Sequence, residues 1–351
     1  MLKQMISKSV SSMRRAVVGA VFLILATGAA FADIVIKDYL PTVGGVMRTR
    51  FEIETQSALN RFAVNNARVW LRGNAMPRLS YFVCADLCNQ GQFQFLDAYG
   101  RFDIGHGLAV QAGQFRIPFG VDPFRGPGSY VFADRSFIGR DIDNIRAVGA
   151  QASYTFQGNV PAAFTLGLFS PNAITNHNRW NKSFNAALKA ELPVGPLKFT
   201  AGIQTIKPDN IRANMADACL YFAIGRWRAE AEWMFKHYLT HDIDDAPTGA
   251  FNDVHAWNVW ADYSIPLKKT IFDRLSFQAR FDANSAHTST ANYEIDFPAR
   301  KRITLGATLG YVKTPVKCEI QLNYEKYFYE KGAEIPTGRN DKVVAELIIS
   351  F

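Results

Sequence analysis

The last ten residues, Lys342-Val343-Val344-Ala345-Glu346-Leu347-Ile348-Ile349-Ser350-Phe351, decide the reading of this chain. In an extended strand successive side chains point to opposite sides. Val343, Ala345, Leu347, Ile349 and Phe351 therefore share one face, while Lys342, Glu346 and Ser350 occupy the other. A face that is apolar along its whole length, backed by one that carries charge, suits a strand with hydrocarbon on one side and water on the other.

Working back from there, the alternation recurs. Trp227, Ala229, Ala231, Trp233 and Phe235 interleave with Arg228, Glu230, Glu232 and Lys236. Leu275, Phe277, Ala279 and Phe281 do so with Arg274, Ser276, Gln278 and Arg280, and Val316, Cys318, Ile320, Leu322 and Tyr324 with Lys317, Glu319, Gln321, Asn323 and Glu325. Over the chain the pattern marks about sixteen segments, from 46–55 through 107–117 and 146–156 to 342–351, an even number as bacterial barrels require. Short turns rich in Gly and Pro (73–77, 105–107, 157–161, 193–196, 225–226, 268–273, 313–314) alternate with longer connections (118–145, 171–182, 239–253, 282–301, 330–341). The fold class is all-β: a transmembrane antiparallel β-barrel of about 16 strands, with both termini at the end that bears the short turns. A chain ending on Phe, with apolar residues at every second position back, also resembles the C-terminal signature by which outer-membrane barrels are recognised for assembly.

The N-terminus reads as an export signal. Lys3, Lys8, Arg14 and Arg15 precede the apolar run Ala16 to Ala26, and Ala30-Phe31-Ala32 is an A-x-A cleavage site. Residues 1–32 are accordingly expected to be a signal peptide removed after Ala32, and residues 33–351 the barrel domain, placed in the outer membrane of a Gram-negative bacterium. Composition agrees. Beyond the N-terminus no apolar run is long enough to cross a bilayer as a helix. With the four signal-peptide cations removed from the 39 basic residues, 35 remain against 31 acidic ones, too small an excess to argue for nucleic acid. Four Cys in 351 residues exclude a disulfide scaffold.

The third outer connection, Pro118 to Ile145, is the longest. It carries Asp122, Arg125, Asp134, Arg135, Arg140, Asp141 and Asp143 among Gly, Pro and aromatic residues. A barrel this wide stays open unless something narrows it. The loop is expected to fold inward, because Phe119, Phe124, Tyr130, Phe132 and Phe137 need burial that solvent does not provide.

Gly113-Gln114-Phe115-Arg116-Ile117-Pro118-Phe119-Gly120, the loop, and Arg146-Ala147-Val148-Gly149-Ala150 resemble the phosphate-selective porin O/P family in its Bacteroidota-type branch. Arg48-Thr49-Arg50-Phe51-Glu52 and Asp97-Ala98-Tyr99 add to the likeness. The resemblance implies a sixteen-stranded barrel, usually a trimer, constricted by its third loop. The small residues Ala63, Ala67, Ala98, Gly100 and Ala112, read as lipid-facing on the early strands, suit a homotrimeric contact. The family's selectivity rests on an arginine-rich loop and a ladder of lysines, and this chain does not match the lysine ladder residue by residue.

The function read from this is a water-filled porin for passive diffusion of small hydrophilic solutes and ions, a class that includes inorganic anions such as phosphate. Its surroundings would be outer-membrane lipid and lipopolysaccharide. The alternative is a structural or adhesive barrel without an open channel. Basic and acidic residues on the expected lumen face nearly cancel, which argues for weak ion preference. The pore constriction is assigned to Arg48, Arg50 and Arg68 on the wall and to Asp122, Arg125, Tyr130, Asp134, Arg135, Arg140 and Asp141 on the loop, with the loop aspartates facing the wall arginines across the passage.

Other chemistry is not indicated. No G-x-S-x-G or H-E-x-x-H motif suggests an enzyme, and no cofactor site is read. His237, His241, Asp242, Asp244, Asp245 and His255 surround one outer loop, where a solvated cluster is preferred over a metal site. Cys84 and Cys88 would stand roughly 13 Å apart in a strand, too far to bridge.

Overall fold

Amphipathic strands must pair every backbone N–H and C=O once they are taken out of water, and a sheet closed on itself does so without leaving an edge. The computed structural model shows this solution. It describes residues 39–351 except 90, 144, 172–179, 208–210, 240–252, 269, 289–294, 314–315 and 336. The expected signal peptide and its cleavage site lie outside the described residues.

The strands are β1 (Thr42–Glu54), β2 (Asn60–Met76), β3 (Leu79–Asn89), β4 (Gln92–Gly105), β5 (Leu108–Arg116), β6 (Arg146–Thr155), β7 (Ala163–Phe169), β8 (Asn185–Val194), β9 (Leu197–Ile206), β10 (Arg212–Ile224), β11 (Trp227–Leu239), β12 (Val254–Pro266), β13 (Arg274–Asn284), β14 (His287–Thr288), β15 (Ile295–Phe297), β16 (Arg300–Lys313), β17 (Val316–Tyr329) and β18 (Lys342–Ser350). Sixteen of them form one closed antiparallel barrel, and β14 with β15 makes a separate two-stranded ribbon in the β13–β16 connection. The seam joins β1 to β18 from Val46↔Ser350 to Glu54↔Lys342. It is extended by mutual backbone hydrogen bonds between Gly45 and Phe351 at 2.9 and 3.1 Å. A Cβ on Gly45 would stand 2.7 Å from the Phe351 ring, so a side chain at this position would have to displace that ring.

Burial follows the alternation. On β11, Glu230, Glu232 and Met234 are buried while Trp227 is exposed and Trp233 and Phe235 are half-buried, and on β17 Glu319, Gln321, Asn323 and Glu325 are buried opposite exposed Ile320, Leu322 and Tyr324. The early strands hold a correction. A β-bulge on β2 shifts its register against β1 between Arg48 and Thr49, so that Arg48 opposes Asn66 but Arg50 opposes Ala63. Directly paired residues share a face. Ala63 therefore belongs to the inner face with Arg50, not to lipid as its spacing from Ala67 suggested, and Phe62 and Val64 stand outward, Phe62 being 81% exposed. An extra residue in one strand is a signal that period-two counting cannot carry across.

Candidate functional site

The segment from Ile117 to Ile145 is held by the inner faces of strands on opposite sides of the closed barrel. Its apolar anchors Ile117, Phe119, Ile138 and Ile142 join Phe115 and Ala147 in a cluster with Ile206, Ala213, Met215, Met234, Tyr238, Val254 and Ala256. These last residues interrupt the polar inner face of β9–β12 with apolar side chains, giving the loop a dry surface on which burial is favourable. The same interruption is visible on β18, where Val344 and Ile348 are fully buried among Lys342 and Glu346.

Polar contacts then fix the loop. Three successive backbone carbonyls receive wall guanidinium groups: Ala133 O from Arg48 and Arg50 at 2.6 Å each, Asp134 O from Arg280 at 2.7 Å, and Arg135 O from Arg302 at 2.7 Å. Ala133 N donates to Asn323 at 2.7 Å, Phe137 N to Asp282 at 3.1 Å, and Val121 N to Glu232 at 2.6 Å. Lys189 and Lys317 hold the carbonyls of Gly120 and Gly128 at 2.7 and 2.9 Å. Burying this many charges is tolerable only because each finds a partner.

The loop carboxylates are internal counter-ions. Asp134 pairs with Arg50 at 2.6 Å and Lys342 at 2.7 Å, with Arg140 at 3.7 Å. Burial alone would raise its pKa, but Lys342, Arg50 and Arg140 outweigh it and hold the carboxyl well below the ordinary range. Asp122 bonds Arg125 at 3.0 Å and Ser136 at 2.7 Å, and Arg125 also binds Glu230. Asp141 is held by Arg300 and, at 3.1 Å, by Arg339. Among the described residues no cation stands within ion-pair distance of Asp143; burial pushes its pKa up to about 6, although Gln204 donates to it at 3.0 Å and Lys236, Arg135 and Arg116 act on it from farther off.

On the opposite wall two cavities remain. One, of about 240 Å³, is lined by Arg48, Arg50, Arg61, Arg68, Arg116, Arg135, Arg140, Arg146 and Lys342, with Asp134 as its one carboxylate. The other, of about 470 Å³, is mainly apolar. Arg68, Arg116 and Arg146 line both. Of the ten residues assigned from the sequence, Arg48, Arg50, Arg68, Tyr130, Asp134, Arg135 and Arg140 meet at the smaller cavity. Asp122 and Arg125 sit instead against β11, and Asp141 against β16. Arg48 and Arg50 are themselves almost fully buried, clamping the loop and bonding Glu346 at 2.9 and 2.7 Å, so the loop aspartates touch their partners and do not face them across a gap.

Sequence reasoning missed Arg116 and Arg146, although both stand in the motifs quoted for the resemblance. The available signal was their pairing: they lie directly opposite at the ends of β5 and β6, flanking the loop, where like charges are normally avoided. Arg68 is matched by Asp86 at 3.2 Å and Arg146 by Asp97 at 2.9 Å. Arg116 binds backbone carbonyls of Pro123 and, at 2.9 Å, Arg125, and has no carboxylate partner among the described residues.

In the His and Asp group read as a solvated loop cluster, His237 pairs with Asp253 at 2.6 Å and His255 packs against Phe235, while His241, Asp242, Asp244 and Asp245 lie outside the described residues. The thiols of Cys84 and Cys88 are free.

The sequence profile of the family described as phosphate-selective porin O and P matches residues 45–238. No curated protein matches the chain. Among solved structures, Salmonella typhi OmpF in complex with daunomycin is similar at 13% identity and a TM-score of 0.63, covering 91% of this chain and 99% of that one. An anion-selective porin from Comamonas acidovorans has 13% identity and a TM-score of 0.55, with 89% and 98% covered. The trimer form of OmpT, an outer membrane protein of Vibrio cholerae, has 11% identity and a TM-score of 0.55, with 89% and 98% covered.

Proposed function

Since the chain belongs to the phosphate-selective porin O and P family and is an outer-membrane porin, a channel rather than an enzyme, we propose that it passes small anions along the wall formed by β2–β6. The observation that carries this reading is the cavity with nine basic side chains and one carboxylate. Counting also the carboxylates that pair with its lining, Glu52, Asp86, Asp97, Asp122, Asp141, Glu325 and Glu346, nine cations meet eight carboxylates, three of which are shared with Arg125, Arg300 and Arg302, so positive charge remains in excess. Fixed charge at the narrowest section sets the barrier for ions, so its sign there matters more than the sum over the lumen. On this reading the near-cancellation over the whole lumen is not the quantity that sets ion preference. The acidic side chains are consumed in holding the loop against β9–β18, and the uncompensated cations are left where solute passes.

In this reading the loop fills one side of the lumen and Arg68, Arg116 and Arg146 form the selective section. Arg48, Arg50 and Asp134 act as its support. Small outward residues on β2, β4 and β5 (Ala67, Ala98, Gly100, Ala112) support a homotrimer, and the trimeric relative is consistent with it. Residues 1–32 would be cleaved on export. The test is the reversal potential of the purified protein in a planar bilayer under a KCl gradient. Anion preference is expected. A pore that prefers cations contradicts the proposal, and absence of conductance favours the structural barrel.

A further inference from the structure

The larger cavity breaks the rule of a polar lumen. Trp70, Phe82, Tyr99, Phe115 and Phe124 line it together. Phe82 stacks on Tyr99 at 5.4 Å between centroids, and Tyr99 meets Phe115 edge-on at 5.7 Å, so these rings form one continuous wall. Phe124 is the odd member of its loop: Phe119, Phe132 and Phe137 are fully buried as anchors, whereas Phe124 is 41% exposed. Apolar area left facing water inside a channel has a cost that polar side chains would avoid, and the volume of about 470 Å³ falls in the range of small-ligand pockets.

The wall ends on the guanidinium groups of Arg68, Arg116 and Arg146, which line this cavity as well as the cationic one. Two of the three are matched by Asp86 and Asp97. One positive charge, on Arg116, is left over. The juxtaposition is complementary to a molecule with one anionic group and an apolar, preferably aromatic, body. We infer that the favoured solute is an aromatic organic monoanion, such as an arenecarboxylate or arenesulfonate, with its charged group at Arg116 and its ring on the wall. The inference rests on the proposed anion channel and narrows it. A compact inorganic anion would use only the cationic end.

The test pairs two measurements on the full chain in detergent and in bilayers. Calorimetric titration with benzoate, acetate and benzyl alcohol separates the ring from the charge. Benzoate is expected to bind about tenfold more tightly than acetate, the increment of one aromatic contact, and benzyl alcohol to show no binding at the same concentrations. In the double variant Phe82→Ser and Phe124→Ser the benzoate advantage should fall to within about twofold while acetate binding persists. In Arg116→Gln both anions should be lost. Equal affinity for benzoate and acetate in the native protein, or an undiminished advantage in the double variant, overturns the inference. Should that variant not fold, Phe124→Ser alone, on a loop, decides by the same criterion. Reversal potentials in KCl judge the anion channel separately: a cation-preferring pore ends that proposal, whatever the titrations give for the ring.

Discussion

At the scale of single residues, the loop is held by charge pairs whose removal has unequal consequences. Asp134 neutralises both Arg50 and Lys342 inside a buried network. Asp134→Asn leaves two cations without that partner, and breaking a buried pair from one side costs roughly 3–5 kcal/mol. Thermal unfolding in detergent should fall by several degrees, and single-channel currents should become noisier as the loop loosens. Asp143 gives the opposite case. Its carboxyl titrates near 6 when docked, against 3.8 ordinarily, so the neutral form is the one the fold favours. Below about pH 4 both docked and undocked states are protonated and nothing is lost. As pH rises toward 6 the undocked carboxyl ionises first, docking weakens, and above 6 the whole penalty, at most roughly 3 kcal/mol, applies. Asp143→Asn should therefore raise the unfolding temperature at pH 7.5 and leave it unchanged at pH 4. A variant stabilised equally at both values would contradict the account.

At the scale of elements, β2 and the loop show how far a local pattern reaches. Apolar and polar positions alternate without interruption on β13 and, as far as Glu325, on β17; on β11 and β18 Met234, Val344 and Ile348 break the polar inner face, yet the outward apolar sets on all four are those read from the sequence. On β2 the bulge beside Asn65 and Asn66 changes which set faces water. Deleting Asn65 would remove the extra residue and leave unbroken alternation, with Arg61 and Ala63 still facing the lumen and Phe62 and Val64 still facing lipid. The folded, heat-modifiable band on electrophoresis is therefore expected to persist, and its loss would show that the bulge itself, and not only the faces it sets, is needed. The loop was recognisable as an element by its length, charges and aromatics. Its docking surface was not, because Met215, Met234, Val254 and Ala256 come from three strands and become a patch only when those strands are neighbours. Removing residues 121–141, which carry three Arg and three Asp, should increase conductance and weaken anion preference by widening the passage and not by changing its net charge; conductance equal to the native value would mean that the loop does not narrow the passage.

At the scale of the whole molecule, the outward face of the sixteen-strand wall carries a group of small residues on β2, β4 and β5 (Ala67, Ala98, Gly100, Ala112) set among bulky ones such as Phe62 and Phe102. Close approach of protomers needs the small side, so native mass spectrometry in mild detergent should give three times the mass of the mature chain; a stable single-barrel mass would remove the basis for the trimer. What the sequence by itself determined is whatever period two encodes: strand number, antiparallel closure, and inner and outer faces away from the β2 bulge, with the loop after β5 standing out as the break in the pattern. These follow from nearest-neighbour geometry along the chain and from the difference between hydrocarbon and water. Which charges remain free was decided by tertiary structure. Arg48 and Arg50 bond β18 and the loop, Arg280 and Arg302 bond the loop backbone, and Arg116 is left without a carboxylate among the described residues. An ion pair joins residues as far apart in the chain as Arg50 and Glu346, and electrostatic energy depends on distance in space, so summing charges along a sequence cannot reveal which of them a solute will meet.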